Sequence, residues 1–127
     1  MLKIERMAYA IMEIEGWLSP FHTKTGNGSR SYRNHNPGNL RGSPFAIGVI
    51  ENYAVFNTDF DGMEALKWDI RQKAKGNSST GLNGMSTLAD FVRVWAPQAD
   101  NNNPTSYIKQ LCTLTGFTPE MRLRDLL

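Results

Sequence analysis

The sequence predicts a mainly helical α+β fold, with about five helices and one small β-hairpin in a single domain. Apolar residues recur at helical spacing in separate segments, and helix start signals precede several of them. Residues 44–56 are instead rich in β-branched and aromatic residues, which favour strands. The chain has 127 residues, enough for one domain that buries a sizeable core.

The first helix is predicted over residues from about 3 to 17. Its apolar residues recur three or four positions apart, and Gly16 marks its end. The residues predicted to face the core are Ile4, Met7, Ala8, Ile11, Ile14 and Leu18.

A long polar segment follows, from residue 19 to residue 42. It is rich in Gly, Asn, Ser and Pro, so we expect a loop with turns, the tightest at residues 36–39. A loop of about 24 residues is uncommon in a compact domain and is often functional. We therefore interpret this segment as a candidate binding loop.

The hairpin is predicted over residues 44–56, with its turn near Gly48 or at Glu51-Asn52. A second long helix should run from about Phe60 to Lys75, because its apolar residues share one face. Those residues are Met63, Leu66, Ile70 and Ala74. Residues 76–84 then form a predicted surface loop.

Three further helices are predicted in the C-terminal part. They run from Ser86 or Thr87 to about Trp95 with Pro97 as the stop, from Asn103 to Gly116, and from Thr118 onward. Asn103-Pro104 and Thr118-Pro119 both place a proline directly after an N-cap residue, which is a typical helix start.

Composition argues against several classes of partner. The formal charge is +2, and Lys and Arg form no basic run, so nucleic acid is not an expected partner. No stretch approaches the roughly 20 apolar residues of a membrane span. Cys112 is the only cysteine, which leaves no internal disulfide and suggests a small core residue. No His or Cys cluster has the spacing of a metal site, and no cofactor is expected.

Glu15 stands out among the acidic residues. At about 100° per residue it falls within the apolar arc of the first helix, whereas Glu13 falls roughly opposite and Glu5 to one side. Partial burial and the negative end of the helix dipole should both raise its pKa. A protonated carboxyl is what general-acid cleavage of a glycosidic bond requires. Alternatively, Glu15 lies at the edge of the arc and pairs with an arginine such as Arg30, Arg33 or Arg41.

Several blocks of sequence carry a family resemblance. They are residues 10–17 (AIMEIEGW), 33–41 (RNHNPGNLR), 53–56 (YAVF), 61–66 (DGMEAL), Leu88, 95–97 (WAP), 101–103 (NNN) and 107–108 (YI). Together they resemble a family of small phage and prophage proteins related to soluble lytic transglycosylases, within the lysozyme-like superfamily. The likeness covers nearly the whole chain, and its most specific pieces are NPGNLR and the Trp-Ala-Pro to Asn to Tyr series. His35 departs from the pattern, in which another asparagine is expected.

The resemblance implies a lysozyme-like catalytic domain over residues 1–127, in which Glu15 ends the first helix as acid and base. The Asn36 to Arg41 loop would line the cleft, and Tyr107 would lie near the catalytic glutamate. The residues expected to contact substrate are Trp17, Asn36, Asn39, Arg41, Tyr53 and Tyr107.

Structural alternatives stay open for several of these residues. Asn36 and Asn39 are equally suited to holding a turn through their own backbone. Tyr107 lies on an apolar helix face, where packing in the core explains it most simply. Packing also explains Trp68 and Trp95 more simply than sugar stacking does.

The reaction follows from the same resemblance. A two-carboxylate glycosidase needs a second acid, and capping explains the candidates Asp59, Asp61, Asp90 and Asp100. Lytic transglycosylases manage with one glutamate, because the 6-hydroxyl of muramic acid attacks the anomeric carbon and gives a 1,6-anhydro product. The alternatives are a hydrolytic muramidase that uses the same Glu15, and a non-enzymatic virion or glycan-binding protein that keeps the fold.

The expected partner is therefore the glycan strand of peptidoglycan, with other virion proteins if the chain travels in a virion. The first residues lack the apolar h-region of a secretion signal. We expect a monomer that is made in the cytoplasm and reaches the bacterial wall in a virion or through a lysis channel.

Overall fold

The computed structural model describes residues 1–17, 28–96 and 103–127. These residues form a mainly helical α+β structure, as predicted, with one two-stranded antiparallel sheet. The elements are α1 (Lys3–Ile14), α2 (Arg30–Arg33), β1 (Gly48–Ile50), β2 (Tyr53–Val55), α3 (Asp59–Lys75), α4 (Leu88–Trp95), α5 (Pro104–Thr115) and a C-terminal 3₁₀ helix (Leu123–Leu126). Several residues used in the sequence-based predictions lie outside the described residues, and so does the start of the polar segment. They are Leu18, Pro97, Asp100, Asn101 and Asn102.

The chain divides into two compact units. Unit 1 comprises Met1–Met7 and Ile70–Leu127, and unit 2 comprises Ala8–Asp69. Within the described residues, no helix combines the length and apolar character needed to cross a membrane. The single catalytic domain expected from the sequence stays a prediction.

Unit 1 has an apolar core supplied mainly by α4, α5 and the C-terminal 3₁₀ helix. Its buried side chains include Phe91, Val92, Leu111, Leu123 and Leu126. Burial of such side chains is the main stabilising contribution to a unit of this size, at about 1.5–3 kcal/mol for each large aliphatic or aromatic residue.

The starts of α4 and α5 are both as predicted. Thr87 caps α4 through a capping box with Asp90, in which each side chain accepts a hydrogen bond from the other residue's backbone N–H. The Asn103 side chain accepts from the Ser106 N–H at the start of α5, with Pro104 at the first helical position. Gly116, at φ 78°, ends α5 in the left-handed conformation that favours glycine.

The predicted helix from Thr118 is wrong. Residues 118–121 form a turn, in which the Met121 N–H donates to the Thr118 carbonyl, and the 3₁₀ helix begins only at Leu123. The segment between them pairs with the chain that precedes α4. Arg122 forms a bridge with Thr87, and the Leu88 N–H donates to the Met121 carbonyl. These backbone bonds hold the segment extended, so tertiary pairing overrides the local start signal.

Unit 2 contains the hairpin and the described part of the polar loop. β1 and β2 pair antiparallel with Val49 opposite Ala54, and the turn lies at Glu51-Asn52, one of the two positions predicted. Both turn residues have positive φ, 52° and 70°, as a tight two-residue hairpin requires. β1 is exposed along its whole length.

The polar segment, predicted to be loop, contains the short helix α2. Ser29 caps it, because its hydroxyl accepts from the Tyr32 N–H at 3.2 Å. The helix was not expected because four residues are too few to show a helical period. The segment is also more buried than its polar composition suggests, since Ser31, Asn34 and Asn36 are all at most 6% exposed.

Candidate functional site

Glu15 is the first residue after α1. Its N–H donates to the Ile11 carbonyl at 2.8 Å, and Gly16 at φ 83° then ends the helical path. Glu15 is half-buried, whereas Glu13, on the same helix, is exposed. The helical spacing thus anticipated the placement of both residues, and the catalytic role of Glu15 stays a prediction.

Asn36 holds the loop together. It is completely buried, its amide nitrogen donates to the carbonyls of Leu40 and Ala54, and its amide oxygen accepts from the Leu40 N–H, all at 2.9 Å. Those three bonds tie the loop to itself and to β2. The sequence left two interpretations of Asn36 open, sugar binding and turn formation. The structure supports turn formation, because a sugar cannot reach a side chain with no exposed surface.

Asn39 lies in the same turn but is less buried than Asn36. Its N–H donates to the Asn36 carbonyl, and its φ of 51° places it in the left-handed region, which asparagine tolerates well. The residue is half-buried. Within the described part of the chain, its side-chain oxygen has no hydrogen-bond partner.

Arg41 and Tyr53 come together with a third residue, Arg30. The guanidinium carbons of Arg30 and Arg41 lie 4.3 Å and 4.8 Å from the centroid of the Tyr53 ring. Such cation–π contacts contribute about 0.5–1 kcal/mol each at exposed sites. Arg30 also lies 3.7 Å from Glu51. The result is a cluster of two guanidinium groups on a half-buried aromatic ring, formed by α2, the loop and β2, with the Glu51 carboxylate beside one of them.

Trp17 packs against α2. Its ring meets that of Tyr32 edge to face, with centroids 5.3 Å apart, and its carbonyl accepts from the Ser29 hydroxyl at 3.3 Å. The indole is half-buried. Trp17 thus borders the polar segment, as expected, and its contact with a glycan stays a prediction.

Tyr107 belongs to unit 1. It is 5% exposed, and its hydroxyl accepts from the Trp95 indole N–H at 3.1 Å. Trp95 in turn stacks on Phe91, with centroids 5.3 Å apart. Packing explains both aromatic residues within unit 1. The expected place of Tyr107 near the catalytic glutamate stays a prediction.

Trp68 is 37% exposed, and Phe45, which is 51% exposed, meets it edge to face at 5.2 Å. The sequence did not mark Phe45 as a site residue, because packing is the simplest explanation of an aromatic residue in a strand-like segment. The pair forms an exposed aromatic surface in unit 2.

Of the three described carboxylates considered as a second acid, those of Asp59 and Asp90 have other partners, and Asp61 lies at a helix start. Asp59 lies 2.6 Å from Nδ1 of His35, and Asp90 belongs to the capping box of α4. The N–H of Asp61 donates to the Thr58 hydroxyl at the start of α3. In residues 1–17, 28–96 and 103–127, no group of three or more His, Cys, Asp or Glu residues is suited to a metal ion.

Arg30 and Asn34 are two further residues that the sequence did not mark as site candidates. Asn34 is 6% exposed, and its amide nitrogen has no partner among the described residues. The one sequence feature that pointed to Asn34 was its place in the RNHNPGNLR block. Its burial could not be predicted, because composition does not show which polar loop residues are buried.

Comparison with models of protein families, with curated proteins and with solved structures finds no match to this chain. The family resemblance therefore rests on the sequence motifs alone.

Proposed function

We propose that this chain has a lysozyme-like fold and cleaves the β-1,4 bond between MurNAc and GlcNAc in peptidoglycan, with Glu15 as general acid and base. The observation that carries the proposal is the half-buried Glu15 at the end of α1, two residues after the exposed Glu13. An exposed carboxyl is ionised at neutral pH, whereas partial burial favours the protonated form that a general acid needs.

In the proposed reaction Glu15 gives its proton to the glycosidic oxygen, and the bond between that oxygen and the anomeric carbon of MurNAc breaks. The resulting carboxylate then takes the proton of the MurNAc 6-hydroxyl, whose oxygen bonds to the same anomeric carbon. The products are a 1,6-anhydro sugar end and a free GlcNAc 4-hydroxyl. Glu15 ends the cycle protonated, so one carboxyl suffices.

The cluster of Arg30 and Arg41 on the Tyr53 ring supplies guanidinium N–H donors, which suit a polysaccharide of this class. Peptidoglycan carries carboxylates on its peptide stems, and guanidinium groups pair well with carboxylates. Trp17 and Asn39 are further proposed contacts, while Asn36 holds the loop that positions them.

The first experiment compares Glu15→Gln with Glu13→Gln in digestion of purified peptidoglycan. The two variants remove one carboxylate each near the C-terminal end of α1, and only the first is expected to abolish cleavage, with a loss of at least about a hundredfold. Circular dichroism establishes that both variants fold. Equal activity of wild type and a folded Glu15→Gln variant contradicts the assignment.

Mass spectrometry of the released fragments decides between transglycosylase and hydrolase. We expect 1,6-anhydro ends, which are lighter by one water than the reducing ends that a muramidase produces. Reducing ends combined with dependence on Glu15 would make the chain a hydrolytic muramidase. Binding to peptidoglycan without release of any fragment would make it a glycan-binding protein that keeps the fold.

A further inference from the structure

Met85 lies in a short segment of unit 1 that pairs with the C-terminal end of the chain. The Leu123 N–H donates to the Ser86 carbonyl at 2.9 Å, and the Arg124 N–H donates to the Gly84 carbonyl at 3.0 Å. These two backbone bonds lie on either side of Met85. The backbone at Met85 is therefore held against the chain that contains Arg124.

Two arginine side chains converge on Met85. Nη1 of Arg122 donates to the Met85 carbonyl at 2.6 Å, and Nη1 of Arg124 donates to the Met85 sulfur at 3.4 Å. Met85 is 54% exposed, so small solutes reach its side chain. The fold thus places a guanidinium beside an accessible thioether.

The other methionines have different surroundings. All six lie in the described residues, and Met85 and Met1 are the exposed ones, whereas Met7 is completely buried and the remaining three are half-buried. Peroxides convert an accessible thioether into a sulfoxide, which is polar. At most sites this change disrupts apolar packing. At Met85 it places a polar oxygen beside a hydrogen-bond donor that is already there.

The two oxidation states of Met85 differ as hydrogen-bond acceptors. A thioether sulfur is a weak acceptor, whereas the oxygen of a sulfoxide carries the negative end of a strongly polar S–O bond. A hydrogen bond from a guanidinium to such an oxygen is charge-assisted, and it is shorter and stronger than an N–H···S contact. A small rotation of the flexible Met85 side chain brings this oxygen to Arg124.

We infer that Met85 is a site of reversible oxidation, at which Arg124 binds the oxygen of the sulfoxide. The oxidant is a peroxide. One oxygen of hydrogen peroxide bonds to the sulfur while the O–O bond breaks, and the sulfur gives up two electrons. The departing hydroxide takes the proton left on the transferred oxygen and becomes water. A thiol-dependent methionine sulfoxide reductase reverses the change.

Oxidation of Met85 therefore strengthens the link between residues 84–86 and residues 122–124 instead of weakening it. The inference concerns unit 1 alone, and it is independent of Glu15 and of the proposed function.

The first experiment treats the folded full chain with hydrogen peroxide and locates the oxidised methionines by mass spectrometry of its peptides. Met85 and Met1 are expected to react faster than the buried Met7 by about tenfold or more, because Met7 reacts only after local opening of the fold. A Met85 that stays reduced while Met1 is oxidised overturns the inference.

Thermal unfolding then measures the effect of the added oxygen. Oxidation is expected to raise the Tm of wild type by about 2 °C or more, and this rise should be absent in Arg124→Leu. Arg93→Leu is the matched control, since it removes another exposed arginine of unit 1, which pairs with Asp90 at 3.1 Å, and it should keep the rise. Met85→Leu controls for oxidation at other methionines and should show no rise. The same effect of oxidation on wild type and on Arg124→Leu overturns the inference.

The rate of repair gives a second readout that does not depend on stability. A methionine sulfoxide reductase must take the oxygen from Arg124, so we expect it to reduce oxidised Met85 more slowly in wild type than in Arg124→Leu, by a factor of about three or more. Oxidised Met1 serves as an internal control, with the same rate in both proteins. Equal rates of repair at Met85 in the two proteins overturn the inference.

Discussion

The carbonyl oxygen of His35 lies directly against the Cα of Gly62 in α3. A Cβ added at Gly62 would overlap this oxygen and would also lie 2.8 Å from Cδ of Pro37. His35 adopts a φ of 52° at this point, and its Nδ1 lies 2.6 Å from Oδ1 of Asp59. The backbone of the loop thus packs on the first turns of α3 with no side chain between them.

Gly62→Ala is expected to destabilise the protein strongly. In a helix without such a neighbour, alanine is favoured over glycine by about 1 kcal/mol. Here the new methyl group forces backbone apart, so we expect the free energy of unfolding to fall by about 3 kcal/mol or more, measured by urea denaturation. Gly48→Ala is the control, because nothing lies within 4 Å of a Cβ at that position. A Gly62→Ala variant as stable as wild type would contradict the packing described.

The buried Asn36 amide provides a second test. Asn36→Ala removes three hydrogen bonds and leaves the Leu40 N–H without its acceptor. We expect a loss of about 3–5 kcal/mol in the free energy of unfolding, since several buried polar groups lose their partners at once. The same substitution at the exposed Asn77, whose amide donates to Gln72 at 3.3 Å, should cost about 0.5 kcal/mol or less. Similar losses at both sites would exclude a special role for Asn36.

The secondary structure could be predicted wherever its cause is local. Asn103 and Gly116 bound α5 as expected, because capping depends on residues within one turn of the helix end. The start signal at Thr118-Pro119 failed for the opposite reason. Residues 121–123 pair with the chain before α4, some 35 positions away, and no local pattern reports that pairing.

The candidate site could be predicted only in part. Helical periodicity separates Glu15 from Glu13, because the direction of a side chain on a helix follows from sequence spacing. The cluster of Arg30 and Arg41 on Tyr53 joins three elements, so only the folded chain reveals it. Likewise, whether Asn36 or Asn39 has free hydrogen-bonding capacity depends on which atoms the fold brings to each amide.

Cys112 is half-buried rather than fully buried, and it should react slowly with thiol reagents. Burial raises the pKa of its thiol, and repulsion from Glu120 raises it further. Because the thiolate is the reactive form, we expect slower reaction with an aromatic disulfide reagent at pH 8 than for the same chain in urea. Glu120→Gln should increase the rate modestly at low salt. Equal rates in the folded and unfolded chain would contradict this environment.

The capping box of α4 gives stability that depends on pH. The pKa of Asp90 is lowered, chiefly by the hydrogen bond from the Thr87 backbone N–H, against a smaller opposing effect of desolvation. Arg93, 3.1 Å away, also favours the carboxylate. A carboxyl with a depressed folded-state pKa stabilises the fold fully above its unfolded pKa, near 3.8, and this contribution is lost as pH falls through the lower folded value.

Asp90→Asn should therefore lower the free energy of unfolding at pH 7 by about 0.5–1 kcal/mol, and the difference from wild type should shrink toward pH 2. Urea denaturation at several pH values measures it. Asp61→Asn serves as control at the start of α3, where the Thr58 hydroxyl accepts from the Asp61 N–H but, among the described residues, the Asp61 side chain makes no reciprocal bond. It should change stability less than Asp90→Asn at pH 7, because only the Asp90 carboxylate accepts a backbone N–H. A difference between wild type and Asp90→Asn that stays constant down to pH 2 would show that the carboxylate charge contributes nothing to the cap.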